Sequence, residues 1–284
     1  MAPDAGVATT LQIPISGGSW QAVATADQTT EKKDEPKKER KPRADDYPLL
    51  RAGVGLVLGT YSYRQEPVVE RGPLYDYAIT FGGKVTKPAP SPGGKLQVRL
   101  WIPGLKYVGA EAAFRATHYA LSLPEFDTPI SDWVNELTVR GIGRYPHDVG
   151  EVRIHGGMRL GMTVDDFLIY RQSGQTDLRV LEYEPLVVSG MELGPEIGVE
   201  WTGGVFGVTG IDFGLAGASN YYKLSWDAMV GYAFIDTAYA FFETEITRRE
   251  TGIYLKPEGG GAKDQVGVVS DHANLFIIGA GFQL

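Results

Sequence analysis

From Leu49 onward, apolar and polar residues alternate along the chain. In the first such run, Leu50, Ala52, Val54, Leu56 and Leu58 share one face. The opposite face carries a different set: Arg51, Gly53, Gly55, Gly59 and Tyr61. The same alternation returns in each later run, up to the C-terminal stretch "NLFIIGAGFQL". A period of two is typical of β-strands with one apolar and one polar face.

The alternating runs predict about ten strands, separated by connections of unequal length. Most of these strands are longer than the ~5–6 residues that are usual in soluble sheets. The tight connections fall near Pro103-Gly104, Gly203-Gly204 and Ile235-Asp236, and the long ones fall mostly at the other end of the sheet. The predicted strands span 49–63, 94–103, 105–121, 131–142, 151–169, 186–201, 204–216, 221–234, 237–254 and 270–284.

The polar face of these strands is charged, which bears on the kind of protein that they build. A soluble ten-stranded barrel or sandwich is the alternative, and it would point arginines, glutamates and aspartates into its core. Lipid around the apolar face removes that conflict and also accommodates the length of the strands. The pattern therefore favours a membrane barrel.

With these features, the chain resembles bacterial outer-membrane β-barrels over residues 47–284. The resemblance implies an all-β, closed antiparallel transmembrane β-barrel of about ten strands in the outer membrane, with short periplasmic turns and longer extracellular loops. A twelve-stranded alternative promotes Leu74–Phe81 and Leu178–Glu184, which we prefer to interpret as hairpin extensions above the membrane. The expected lipid environment follows from the same resemblance.

The final strand resembles the terminal strand that the barrel assembly machinery reads during biogenesis. In that family the last residue is usually Phe or Trp, whereas this chain ends in Leu284, two residues after Phe282. We expect the strand to close the barrel against the first strand and leave no free edge. The residues expected at this closure are Phe276, Ile278, Phe282 and Leu284.

Residues 1–46 differ from the rest of the chain. The stretch Glu31–Asp46 is dense in charges of both signs and nearly free of apolar residues. Such a composition cannot bury enough surface to offset the entropy lost on ordering. We therefore expect a disordered periplasmic tail or linker. The alternative is a docking segment for a periplasmic partner protein, in which Leu11–Ile15 adds a strand to the partner.

Composition excludes several classes of protein. A net charge of −8 and a pI of about 5.1 argue against a nucleic-acid partner. The absence of cysteine excludes disulfides and thiolate chemistry. The first ten residues lack the basic and apolar regions of a signal peptide. No cofactor and no metal site are expected.

The polar face predicts a lumen of bulky, oppositely charged side chains. Ten strands enclose little more space than the eight-stranded barrels that side chains can fill. We favour an interior plugged by ion pairs, with Glu192, Glu196 and Glu200 neutralised by arginines such as Arg153 and Arg159. The alternative is a narrow cation-preferring pore along those glutamates. The predicted lumen network is Arg99, Glu111, Arg115, Glu136, Arg140, Arg153, Arg159, Glu192, Glu196, Glu200, Asp227, Glu243 and Glu245.

The four histidines offer little support for catalysis. Some outer-membrane barrels of this size are proteases or lipid hydrolases with His, Asp or Ser near the outer rim. Here Asp271 and His272 are adjacent, so they point to opposite faces of one strand. His118 lies near Ser122, and His147 lies in a predicted periplasmic turn. We therefore expect a non-enzymatic anchor or scaffold for a periplasmic or envelope-spanning assembly, with a rim-sited hydrolase as the less favoured alternative.

Overall fold

The computed structural model describes residues 48–67, 89–105, 107–121, 130–173, 180–217, 220–255 and 264–284. The predicted segments 1–46 and 74–81 lie outside these residues. In the part that the structure describes, no helix is long and apolar enough to cross a membrane. The strands are β1 (Leu50–Pro67), β2 (Ala89–Pro90), β3 (Gly93–Trp101), β4 (Val108–Leu121), β5 (Ile130–Val149), β6 (Val152–Ser173), β7 (Val180–Trp201), β8 (Val205–Gly217), β9 (Tyr222–Ile235), β10 (Ala238–Leu255) and β11 (Asp264–Gln283).

These strands form one closed antiparallel barrel. From β3 onward each strand pairs with the next along the chain, β1 pairs with β3, and β11 pairs back onto β1. The short β2 pairs with β1 in the same register as β3, so it is an interrupted continuation of β3. In the described part of the chain the wall therefore has ten strand positions, as the alternation predicted, and none of these strands is an edge strand.

The first and last strands of the barrel meet where it closes. The Leu49 amide donates to the Leu284 carbonyl at 2.6 Å, and the Leu284 amide donates to the Leu50 carbonyl at 2.9 Å. The β1–β11 ladder runs from Arg51 opposite Gln283 to Pro67 opposite Gly267. The final strand therefore closes onto the first, as expected.

The short turns lie at the end of the barrel where Leu49 and Leu284 are hydrogen-bonded. They connect β3 to β4, β5 to β6, β7 to β8 and β9 to β10. Gly104, Gly150 and Gly204 have φ values of 79°, 61° and 92°, which other residues adopt only with strain. We call this the short-turn end, and we call the opposite end, which carries the longest connections, the long-loop end.

Several strands run further than the sequence pattern predicted. β5 continues to Val149 instead of stopping near residue 142, which leaves only a two-residue turn before β6. Pro146 is tolerated there because β4 begins opposite Gly143, so β5 has only β6 as a ladder neighbour beyond that point. At the long-loop end, β6 and β7 stay paired up to Ser173 opposite Val180. The segment 180–184 is thus a hairpin extension and not an additional barrel strand.

Candidate functional site: the charged lumen

Alternation places charged side chains inside the barrel. Every residue of the predicted lumen network points inward and is buried or half-buried. Within that network, the strand β7 presents Glu192, Glu196 and Glu200, all at most 3% exposed. Buried carboxylates are costly unless they are paired and hydrogen-bonded, so their partners decide what the lumen can do.

At the short-turn end, Glu200 binds basic residues from β1, across the lumen, and from β5, two strands away. Its carboxylate lies 2.9 Å from Arg51 and 3.8 Å from Arg144. Both guanidinium groups also lie over aromatic rings, Arg51 at 3.8 Å from the Phe206 centroid and Arg144 at 3.4 Å from the Trp101 centroid. Cation–π contacts of this kind hold the guanidinium planes across the mouth of the barrel.

In the middle of the lumen, three arginines link carboxylates into a network. Arg99 lies 2.8 Å from Glu196 and 2.5 Å from Glu111. Two more arginines extend the same pattern. The remaining pairs are Arg140 with Glu111, Glu192 and Asp212 at 3.1, 3.2 and 3.0 Å, and Arg159 with Asp212 and Asp227 at 2.9 and 2.7 Å.

A third group of ion pairs lies towards the long-loop end. Lys223 binds Glu192 at 2.7 Å and Glu136 at 2.9 Å. Arg115 donates to both Glu136 and Glu245. Beyond them are Lys95 with Glu243 at 2.5 Å, and Arg249 with Asp271 and Asp165 at 2.7 and 3.2 Å.

Aromatic and aliphatic side chains cover this third group from above. The rings of Tyr61 and Tyr119 stack with centroids 3.6 Å apart, and the Tyr61 hydroxyl donates to Asp271 at 3.0 Å. The cluster around them contains Tyr63, Val134, Phe167, Ile253 and Val269, each at most 4% exposed. An apolar layer therefore lies over the third group of ion pairs at this end of the lumen.

The partners of the β7 glutamates differ from those that the sequence suggested. Arg153 donates to Asp148 at 2.7 Å, and Arg159 reaches Glu196 only at 3.9 Å. The closest cations come instead from other strands: Arg51, Arg99, Arg140 and Lys223.

The predicted network also left out inward charges that take part in these pairs. The signal for most of them was present, because the same period of two puts them on the polar face. The omitted residues are Arg51, Lys95, Arg144, Asp165, Asp212, Lys223, Arg249 and Asp271.

The outer surface of the barrel is apolar. Leu56 is 73% exposed, Ile278 61% and Leu284 68%, and they belong to a belt of outward hydrophobic side chains around the wall. Exposed aromatic residues border the belt at both ends. They are Tyr107, Tyr145, Trp201, Tyr232 and Phe234 towards the short-turn end, and Trp133, Tyr222 and Trp226 towards the long-loop end.

An apolar belt between aromatic girdles around a closed, charged barrel is the surface that a lipid bilayer requires. The chain is an outer-membrane β-barrel. Its expected closure residues Phe276, Ile278, Phe282 and Leu284 all point outward into the lipid-facing belt. Beyond the belt, outward positions such as Arg64, Arg248 and Glu250 are polar.

Comparisons with known proteins add structural neighbours only. No protein-family model matches the chain. No curated protein matches it either. Among solved structures it is similar to the outer membrane protease OmpT from Escherichia coli, with 11% identity, 82% of this chain and 97% of that chain covered, and a TM-score of 0.40. It is also similar to Ail, the attachment invasion locus protein of Yersinia pestis, with 12% identity, 82% of this chain and 99% of that chain covered, and a TM-score of 0.28. At identities this low, the activities of these proteins are not assigned to this chain.

The histidines of this outer-membrane barrel do not come together. His155 points into the lumen, with its Nε2 atom 3.6 Å from Glu196, and its ring meets Trp101 edge to face. His118 points outward and packs against Trp133. His147 is exposed near the short-turn end, and His272 points outward while Asp271 points inward. Within the described ranges, no group of three or more His, Asp and Glu residues is arranged to hold a metal ion.

Proposed function

We propose that this outer-membrane barrel is a non-enzymatic anchor or scaffold for an envelope assembly, and that ion pairs close its lumen. The observation that carries the proposal is that the pairs run from wall to wall. Arg99 of β3 reaches Glu196 of β7, and Arg115 of β4 reaches Glu245 of β10. A solute could pass only if such bonds were broken.

The space left between the charges supports a closed lumen. Two interior cavities have volumes of about 40 and 30 Å³. A cavity needs ~10–15 Å³ to hold one water molecule, so each has room for only a few. The cation-pore alternative would need a continuous path along Glu192, Glu196 and Glu200, and each of these carboxylates is already bound by a basic side chain.

The anchoring part of the proposal is supported by the position of the first described residues of the barrel. Leu49 is hydrogen-bonded to Leu284 at the short-turn end. In outer-membrane barrels the short turns face the periplasm. We therefore propose that residues 1–46, with their mixed charges, are on the periplasmic side of the membrane and available to a partner protein there.

A non-enzymatic role is part of the same proposal. The inward His155 is bounded by Glu196 and Trp101, and the three other histidines point out of the lumen. No described histidine has a carboxylate and a hydroxyl arranged beside it as a hydrolase would need. The rim-hydrolase alternative thus gains no support from the described residues.

The closed lumen predicts that purified wild-type protein conducts almost no current in a planar lipid bilayer. The physical reason is that each lumen carboxylate near the β7 glutamates is compensated by a bound cation. Single-channel recording at low and high salt is the measurement. A steady cation-selective conductance that Glu196→Gln abolishes would contradict the closed lumen and favour the pore.

The anchor role predicts that deletion of residues 1–46 leaves the barrel assembled but releases its periplasmic partner. The measurement is the composition of complexes purified from outer membranes in mild detergent. A variant with residues 1–46 scrambled at constant composition is the control, because it separates specific docking from the effect of charge alone. Retention of the same partner by the deleted form would contradict the proposal.

A further inference from the structure

We propose that the half of the lumen nearest the short-turn end is a blind, water-filled path that admits small cations, and that the Arg51–Glu200 pair is its entrance. The path goes beyond the closed-lumen proposal, since it ends inside the barrel and conducts nothing across it. It rests on three cavities that follow one another from the short-turn end into the middle of the lumen.

The first cavity is an open vestibule of about 470 Å³ at the short-turn end. Its walls include Trp201, Val205, Phe234 and Gln283. Arg51 and Glu200 form its inner boundary, and both also line the next cavity of about 30 Å³. The vestibule and the inner cavity are thus separated by this one ion pair.

The second and third cavities also share a boundary. Gln97, Arg99 and Met229 line both the 30 Å³ cavity and the 40 Å³ cavity beyond it. The boundary includes a weak contact, in which the Gln97 amide nitrogen lies 3.4 Å from the Met229 sulfur. Rotation of the Met229 side chain can open this boundary between the two cavities, because methionine adopts many rotamers at little cost.

Polar atoms without hydrogen bonds face this path. Both ring nitrogens of His155 and one oxygen of Glu200 have no hydrogen-bond partner, their nearest charged neighbours being Glu196 at 3.6 Å and Arg144 at 3.8 Å, and both residues line the 30 Å³ cavity. One oxygen of Glu243 lacks a partner at the 40 Å³ cavity. Each of these residues is at most 4% exposed. Buried polar atoms are almost always satisfied by protein or water, so these atoms indicate water sites along the path.

The charges around the innermost cavity favour a small cation over an anion. Its walls carry five carboxylates and four basic groups. The carboxylates are Glu111, Glu136, Asp227, Glu243 and Glu245, and the basic groups are Lys95, Arg99, Arg115 and Arg140. Lys223 and Arg159 also bind Glu136 and Asp227, so the charges nearly balance. The group left to receive an ion is the carboxylate oxygen of Glu243 without a hydrogen bond, which attracts a cation and repels an anion.

The entrance is held by three contacts to one guanidinium group. Arg51 binds Glu200 at 2.9 Å, donates to the Gln283 side chain at 3.3 Å and lies over the Phe206 ring. Removing the Glu200 charge leaves Arg51 without its counter-ion, which is strongly unfavourable for a buried group. The arginine should then move towards the vestibule and open the entrance.

The path is blind because the other half of the lumen is packed. In the wall of the innermost cavity, Arg115 bridges Glu136 and Glu245, and Lys223 behind it binds Glu136 and Glu192. The stacked rings of Tyr61 and Tyr119 lie further towards the long-loop end. Opening of the entrance should therefore change access to the cavities and leave conductance across the barrel at its wild-type level.

Silver-ion modification of single introduced thiols tests the path, because the chain has no cysteine of its own. Ser225→Cys places a thiol at the innermost cavity. In lipid nanodiscs, we expect Ag⁺ to react slowly at position 225 and about tenfold faster or more when Glu200→Gln is added, because the buried pair is then broken. If Glu200→Gln does not assemble, Arg51→Gln breaks the same pair.

Thr251→Cys is the matched control. Thr251 is inward and 0% exposed on β10, near the long-loop end and away from the entrance. Its thiol should react at the same rate with and without Glu200→Gln. Equal acceleration at positions 225 and 251 would mean general loosening, and no acceleration at position 225 would mean that the pair is not an entrance; either result overturns the proposal. Failure of the closed lumen would appear separately, as conductance of the wild type.

Discussion

Arg249→Ala is expected to destabilise the barrel by about 3–5 kcal/mol, the typical cost of removing one partner from a buried ion pair. Arg249 is 2% exposed and binds Asp271 at 2.7 Å and Asp165 at 3.2 Å. Its guanidinium also lies 4.7 Å from the centroid of Phe167. Truncation leaves two buried carboxylates with less compensation and removes packing below the apolar layer.

The adjacent Arg248 provides the control for this prediction. It has the same side chain on the same strand, but it points outward and is exposed. Arg248→Ala should change stability by no more than about 0.5 kcal/mol, as is usual for surface substitutions. Urea unfolding in lipid vesicles, followed by the gel mobility of unheated samples, measures both variants. Similar losses for the two would show that the buried pairs are not a main source of stability.

The direction of each side chain was predictable because strand alternation is a local property. A period of two assigns Arg99, Glu111 and Glu196 to the lumen without knowledge of any neighbour. The outward apolar positions, such as Leu56 and Ile278, follow from the same rule. The sequence alone therefore predicts the strands of the barrel wall, its apolar outer surface and its charged inner surface.

The partners across the lumen were not predictable in this way. Arg153 is the register partner of Glu200 on the neighbouring strand, which makes it the natural choice from local pairing. Its side chain binds Asp148, however, and Glu200 binds Arg51 of β1. Contacts across the lumen depend on the stagger of the strands around the barrel, and this stagger is a property of the closed structure.

Strand ends were also hard to predict at the long-loop end. The pattern began the final strand near residue 270, whereas β11 begins at Asp264. Outside the lipid, outward positions such as Arg64 and Arg248 are polar, so the contrast between the two faces fades while the backbone pairing continues. The inward aromatic layer around Tyr119 and Phe167 was not predicted, for the same reason.

Replacement of both Phe282 and Leu284 by Asp is expected to prevent assembly of the barrel. Their side chains are 50% and 68% exposed on the lipid-facing surface, and Phe282 lies opposite Ala52 of β1 and Ala238 of β10. A lipid-facing Arg or Lys costs ~2–4 kcal/mol at mid-bilayer and ~0–1 kcal/mol near the interface, where these two residues lie, and Asp costs somewhat less. Two such charges fall on the strand whose pairing closes the barrel, so their cost bears directly on the closing step.

Gln283→Asp separates the effect of lipid from that of a carboxylate in the last strand. Gln283 lies between the two substituted residues, but it points into the lumen and its side-chain oxygen accepts a hydrogen bond from Arg51 at 3.3 Å. A carboxylate there faces a cation, so this variant should reach the outer membrane at nearly wild-type levels. The measurement is the amount of folded, heat-modifiable barrel in outer-membrane fractions. Normal levels of the double variant, or an equal loss in Gln283→Asp, would contradict closure through lipid-facing contacts, because only the direction of the side chain distinguishes the two cases.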